Sequence, residues 1–278
     1  YNSGQMHHGE RRDEFLIKSC VEIGLMSESV SGRKSRSGQQ QYHVFGNRCL
    51  VFALRGQTSK IEGLYFRSTV GGDSKSGRHF YLRDRRGLYP KNPVASTEKL
   101  LITESIIDAV SVLQSEQTAA GWEVLALYGT NGFTQEHAAA VVGLAELNEV
   151  CLFLNGDAAG RKATEIVAEK IRALKPSVSI SVVSVADGED CNSLLVKEGA
   201  ELLAHMIEER EVVEGFSSSI EDVEQGNETN RPLRAATAAP VSLSRGDGKG
   251  GGLNVVNAYD IGYRAKSSEL RVKGLKMD

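Results

Sequence analysis

The stretches LLITESIIDAV (residues 100–110) and VCLFLNGDAAGRKA (residues 150–163) decide how this chain is read. In each, a wholly apolar run gives way at once to polar and acidic residues and then to a helical pattern. The first places Glu104 and Asp108 just past Leu100, Leu101 and Ile102. The second places Asn155 and Asp157 just past Val150 to Leu154. An open α/β sheet gathers its ligands at the carboxyl ends of its strands, so both acidic groups fall where such a fold does its chemistry. Carboxylates crowded there oppose folding, and they suit a hard divalent cation. The expectation is that Glu104, Asp108 and Asp157 converge on one metal.

Outward from these stretches the same texture repeats. Strands are expected at 100–102, 124–128, 150–154 and 179–185, and helices at 105–114, 134–145, 158–174 and 191–211. Short strands alternating with longer helices imply an α/β domain, residues 98–214, built on a parallel sheet with right-handed crossovers. Residues 1–97 read differently: a helical pattern over 9–26, a polar basic loop over 30–40, and short strands at 42–45, 48–54 and 63–70, then HFYLR at 79–83. This is a smaller α+β unit. Residues 215–252, rich in Ser, Gly and Ala, lack periodicity and read as a flexible linker. Residues 253–278 read as two strands around a polar turn, the start of a truncated β segment whose partners lie elsewhere. The chain opens at Tyr1 and stops inside a strand-like stretch, so a piece of a longer protein is expected.

Charge follows the same division. Residues 1–97 carry 16 Lys/Arg against 8 Asp/Glu, a balance of +8, whereas residues 98–214 carry 8 against 20, a balance of −12. A basic block beside an acidic one suits a polyanion gripped by the first and a metal held by the second. Segregation of solvated surface charge would give the same counts. A composition 40% hydrophobic and 25% charged is that of a soluble protein. No apolar run reaches the length of a membrane span and no secretory signal is present, so no membrane partner is expected and the setting is cytoplasmic. Cys20, Cys49, Cys151 and Cys191 are widely spaced, which excludes a zinc-ligand pair and points to reduced, buried thiols.

The acids have two physical readings. A four-residue step places Glu104 and Asp108 on one helix face about one turn apart; acids in a first helical turn are also favoured by the helix dipole alone. Asn155 and Asp157, two residues apart, point the same way in an extended turn, with Gly156 and Gly160 allowing a close approach. Asp157 is equally the N-cap of the helix that follows. Asp190, past the Asp187-Gly188 turn, is either a third contributor at the same sheet edge or a simple cap. The G-x-G-x-x-G spacing of a dinucleotide fingerprint is absent.

Taken in order, ESIIDAV (104–110), LALYGTNGFT (125–134), FLNGDAAGRKA (153–163) and DGEDCNSLLVKEG (187–199) resemble the toprim domain of bacterial DNA primases, including versions on mobile elements. YHVFGNRCLVFALRGQTSKIEGLYFRS (42–68) and RHFYLRDRRGLYPKNP (78–93) extend the resemblance upstream. It implies a Rossmann-like toprim fold of about four parallel strands flanked by helices, with the smaller basic α+β subdomain in front. It implies catalytic roles for Glu104 and Asp157, and a site for Mg²⁺ or Mn²⁺ built from Glu104, Asp108, Asp157 and Asp190, with the Asn155 carbonyl as an added ligand. Arg48, Arg67, Arg78, Arg83, Arg85, Arg86 and Lys91 become the candidates for contacting nucleic-acid or nucleotide phosphates.

Two positions depart from the family pattern. Asn155 stands where the family has the first Asp of its pair, and Asn192 where many primases have another Asp; each departure removes charge and weakens the hold on a cation. The activity implied is synthesis of short RNA primers on a single-stranded DNA template from ribonucleoside triphosphates, with a replicative helicase as a further partner. Zinc is expected only in a domain preceding this stretch. Two other readings fit the same acids: phosphodiester cleavage of the nuclease or topoisomerase kind, and an accessory nucleic-acid-binding protein whose site has lost charge at Asn155 and Asn192.

Overall fold

The computed structural model describes residues 13–29, 40–70, 78–213 and 254–255. Four strands, β6 (Lys99–Thr103), β7 (Glu123–Ala126), β8 (Glu149–Phe153) and β9 (Ser179–Val182), run parallel as expected. A fifth, β10 (Glu211–Val212), closes the edge antiparallel to β9, so the sheet is mixed and its order is β10-β9-β8-β6-β7. The two central strands are apolar over Leu100–Ile102 and Val150–Phe153 because both of their faces are covered. Leu100, Ile102, Val150 and Leu152 point into one core, and Leu101, Cys151 and Phe153 into the other.

Helix α3 (Gln135–Val142) and α4 (Ala158–Leu174) cover the first face through Val141, Ala163, Val167 and Ile171. Helix α2 (Ile106–Leu113), α5 (Cys191–Glu198) and α6 (Ala200–Glu208) cover the second through Ile106, Ala109, Val112, Leu203 and Ile207. The single last helix expected over 191–211 is two helices. Gly199, at φ +90°, ends α5 and begins α6, a backbone state that a side chain would resist, and Glu211 has already joined β10.

Upstream, α1 (Glu14–Glu22) starts at an Asp13 cap and ends just before Gly24. Strand β1 (Met26–Glu28) pairs antiparallel with β2 (Tyr42–Val44). Strands β3 (Cys49–Arg55), β4 (Ile61–Ser68) and β5 (His79–Tyr81) form an antiparallel sheet. One face of that sheet packs Val51 and Phe66 against Cys20, Leu25 and Met26. The other brings Phe52, Leu54 and Tyr65 onto the α/β core beside Leu101 and Ile106. The backbone of β11 (Asn254–Val255) pairs parallel with Leu50 and Val51, so this part of the C-terminal segment has a partner in the chain after all. The basic loop at 30–39, the polar run at 71–77, the linker over 215–252 and the rest of 256–278 lie outside the described residues. All four cysteines are buried. Among the described residues, no helix is long and apolar enough to cross a membrane.

The topology fixes where a ligand can enter. Strand β6 feeds α2 on one face and its neighbour β8 feeds α4 on the other. A crevice therefore opens between the carboxyl ends of β6 and β8, the switch point of an open α/β sheet.

Candidate functional site

Glu104 follows β6 at one lip of that crevice, and Asn155 follows β8 at the other. The backbone N–H of Asn155 donates to Glu104 Oε2 at 3.3 Å, and its side-chain amide donates to Oε1 at 3.2 Å. Glu104 is only 8% exposed. Burial raises its carboxyl to about 7; the charges of Asp108, Asp157 and Asp190 push the same way, against the Asn155 hydrogen bond. The other three acids named from the sequence thus lie close enough for their charges to reach Glu104.

Each Asp is also engaged locally. Asp108, 3% exposed, accepts from Ser105 Oγ at 2.7 Å and Ser105 N at 3.1 Å in a capping box at the start of α2. Burial raises its carboxyl to about 6, with the Asp190 charge adding to this and hydrogen bonds from Ser105 and the Asn192 backbone opposing it. Asp157 is exposed and caps α4 by accepting from Gly160 N at 2.7 Å. Asp190 caps α5 by accepting from Ser193 N at 2.6 Å. Asn192 is tied to α2, where Ser111 Oγ donates to its Oδ1 at 3.3 Å.

A cleft of about 280 Å³ opens over this edge. Glu104, Asp108, Asn155, Asp190 and Asn192 line one side, and Tyr65, Arg67, His79, Tyr81 and Tyr128 line the other. The second wall follows from strand register: Tyr65 lies opposite Tyr81 and Arg67 opposite His79, all on one face, while Phe66 and Phe80 face the other way. A larger hollow, about 410 Å³ beside Gly56, Glu62 and Glu136, contains none of the acids at the strand ends. The arrangement of reactive groups, rather than volume, locates the site.

Of the basic residues expected to touch phosphate, Arg67 alone lines the cleft. Arg85 stands beside it, with its guanidinium 4.4 Å from the Tyr128 ring centre and 5.0 Å from that of Tyr81. Arg48, at φ +55°, is exposed just before β3, and its carbonyl holds Thr69. Arg78, Arg83 and Arg86 are exposed outside the cleft lining. Lys91 forms an ion pair with Glu123 at 3.0 Å, at the start of β7.

The aromatic wall was not read from the sequence. Its signal was available as alternation in two adjacent strands, Tyr65 with Arg67 and His79 with Tyr81. Tyr128 is held from two sides. Its hydroxyl donates to the Gly87 carbonyl, and its ring meets His137 edge-on at 5.1 Å. His137 is fully buried at the start of α3, where its Nδ1 accepts from the Thr134 backbone N–H at 3.2 Å. That bond places the proton on Nε2, which donates to the Ala126 carbonyl at 3.0 Å. Burial lowers His137 to about 4.

The donor chemistry fits a hard divalent cation, because Glu104, Asp108, Asp157 and Asp190 offer only carboxylate oxygen and two of them are pushed toward protonation by burial and mutual charge. The expected cluster is nevertheless not assembled. Among the described residues, no three or more His, Cys, Asp or Glu side chains gather closely enough to hold an ion. Asp157 and Asp190 are turned to the amides of their own helices, and Asn155 occupies Glu104.

Residues 101–195 match the family model described as Toprim-like. The fold is similar to that of the Aquifex aeolicus primase zinc-binding and RNA polymerase domains, with a TM-score of 0.57 and 18% identity over 73% of this chain and 48% of that one. It is similar to a DNA primase domain from Pseudomonas aeruginosa, at 0.55 and 19% identity over 76% of this chain and 64% of the other. The E. coli primase catalytic core gives 0.53 and 20% identity, with coverages of 72% and 62%. The chain spans less than two thirds of each of these relatives. No curated protein matches it. Residues 101–195 are thus Toprim-like, and the fold is similar to that of bacterial primases at low sequence identity.

Proposed function

We propose that this protein carries out primase-type nucleotidyl transfer, joining ribonucleotides into short RNA primers on single-stranded DNA. One observation carries the reading: the carboxylate edge at Glu104 and Asp190 and the basic, aromatic wall at Arg67, His79, Tyr65 and Tyr81 line the same cleft. Arg67 would hold a phosphate by a charge-assisted hydrogen bond. Glu104, buried and braced by Asn155, would take the proton of an attacking hydroxyl near neutral pH. Glu104, Asp108, Asp157 and Asp190, with Asn155 beside them, would hold Mg²⁺ or Mn²⁺. That cation would neutralise charge on the phosphate oxygens in transfer. In this scheme residues 1–97 grip the strand through Arg48, Arg67, Arg78, Arg83, Arg85 and Arg86. Residues 98–214 perform the transfer, 215–252 act as a linker, and a replicative helicase is the natural partner.

The test is RNA synthesis on a single-stranded DNA template with ribonucleoside triphosphates and Mn²⁺. Wild type should extend product, and Glu104→Gln should lose about 10²-fold or more of the rate, the usual cost of removing a general base. Equal product from both would remove Glu104 from the site. Cleavage of the template without nucleotides would instead favour nuclease chemistry. One observation supports a second reading, in which the chain only binds nucleic acid: Asp157 and Asp190 are engaged as helix caps. Salt-sensitive DNA binding with neither synthesis nor cleavage would favour that role.

A further inference from the structure

The corner formed by Tyr81, Tyr128 and Arg85 has a chemistry that neither the acids nor the phosphate contacts use. The two tyrosine rings meet at 78° with centres 5.4 Å apart, forming a notch that opens on the cleft. The Arg85 guanidinium sits in that notch, 4.4 Å from one ring centre and 5.0 Å from the other. The two kinds of group are held very differently. Tyr128 is fixed through its hydroxyl to Gly87 and through its ring to buried His137, and Tyr81 is registered against Tyr65 in the β4–β5 ladder. Arg85 belongs to an exposed run, follows Asp84 at φ +57°, and does not line the cleft. A rigid aromatic notch thus holds a planar cation borne on a surface segment.

A guanidinium and a nucleobase are both flat and both stack on aromatic faces. We propose that Tyr81 and Tyr128 form a slot for one unpaired nucleobase, with the Arg85 guanidinium giving way to the base and moving onto its phosphate. The slot shares the cleft with Arg67 and His79, which are placed to meet the backbone of the same ligand. This inference rests on the nucleic-acid reading above and specifies how that cleft recognises its ligand: by a base face, without reading its edge. The exchange involves no covalent step.

The experiment uses the full 278-residue chain and two fluorescent strands of equal length and charge, oligo-dT and its abasic counterpart. Wild type should bind the base-bearing strand more tightly. Tyr81→Leu and Tyr128→Leu should each weaken oligo-dT binding by about 5- to 150-fold, the range for losing one base–aromatic stack. Binding of the abasic strand should stay unchanged, and Tyr81→Phe and Tyr128→Phe, which keep the rings, should retain the preference. Arg85→Ala should keep the preference for bases while lowering the salt slope by about one. If Tyr128→Leu loses both strands through misfolding, Tyr81→Leu decides, since Tyr81 lacks the bond to Gly87. A free ribonucleoside triphosphate, compared with base-free ribose triphosphate, separates the two sources of a base. A tyrosine-dependent preference for the nucleoside triphosphate supports the slot with the nucleotide as its occupant. Equal binding of base-bearing and base-free ligands by wild type overturns the slot alone, as does a preference lost only in Arg85→Ala. No binding of any of them overturns the nucleic-acid reading itself.

Discussion

Asn155 grips both carboxylate oxygens of Glu104, one through its backbone N–H and one through its side-chain amide. The contact spans the crevice between β6 and β8, so it sets the carboxylate at the point where the two strands diverge in their connections. Read from sequence, Asn155 is a metal ligand short of a charge. In the structure it is first a donor, and an Asp there would set a second carboxylate against a buried one.

Asn155→Asp should therefore lower stability at pH 8 by about 1–3 kcal/mol, the cost of removing a donor from a buried polar group. Mn²⁺ should recover more of that loss than it adds to wild type, because the variant supplies the missing charge. Thermal melting with and without Mn²⁺ checks both halves. An Asp variant as stable as wild type in chelator would mean that the amide does not support Glu104.

Glu104 and Asp108 give stability a definite slope with pH. Both have folded values raised by burial, to about 7 and about 6, above ordinary carboxylate values of 4.5 and 3.8. Between the ordinary and raised values the folded chain holds protons that the unfolded chain has released, so stability falls as pH rises through that window. Their contribution is greatest below about pH 4 and is lost above about pH 7. Mg²⁺ should raise the melting temperature at pH 8 and leave it unchanged at pH 5, at about 2–4 °C for each kcal/mol regained. A melting temperature insensitive to Mg²⁺ at pH 8 would count against cation binding by these acids.

His137 acts in the opposite sense. Its value is lowered from 6.5 to about 4, so as pH falls through that window the unfolded chain takes up a proton that the folded chain refuses, and stability declines. His137→Gln should flatten this acid limb, since Gln at the third helical position can still accept from the Thr134 backbone N–H without titrating. Comparing the melting curves of the two chains between pH 6.5 and pH 4 isolates the effect. Parallel curves would contradict the buried neutral imidazole.

Two glycines of the acidic edge should differ in tolerance. A Cβ on Gly156 would lie 2.0 Å from the Ala186 carbonyl oxygen and 2.6 Å from that of Val185, so Gly156→Ala must displace the backbone leading to Asp190. Gly188, at φ +78°, has open space around it, and Gly188→Ala should cost only about 1 kcal/mol of backbone strain. Urea midpoints should rank Gly156→Ala well below Gly188→Ala. The reverse order would show that the 185–190 segment is free to move.

The strands and helices around Glu104 and Asp157 were legible because apolar runs buried on both faces and the acids after them are local features. Parallel pairing and the crevice at Glu104 and Asn155 followed from their alternation. The break at Gly199 was harder to see, because α5 and α6 are each apolar at helical spacing and one glycine between them does not require a corner. Strand β10 is two residues long and carries no period of its own. The aromatic wall stayed hidden because Tyr65 and Tyr81 come together only through the β4–β5 register, and Tyr128 reaches them from another sheet. Lys91 sits in a basic run of the sequence, and its ion pair with Glu123 appears only in the fold because the two residues lie far apart along the chain. The acids themselves had two readings in sequence, and the structure gives Asp108, Asp157 and Asp190 the capping geometry while leaving them within reach of Glu104's charge.

The caps alter the electrical character of this edge. Helices α2, α4 and α5 all begin there, and each N-terminus contributes roughly half a positive charge. Together they offset about one and a half of the carboxylate charges, and burial keeps Glu104 and Asp108 partly protonated near neutral pH. The rim stays negative but carries less charge than the composition suggests, and in the proposed role this would lessen the repulsion that a polyphosphate meets.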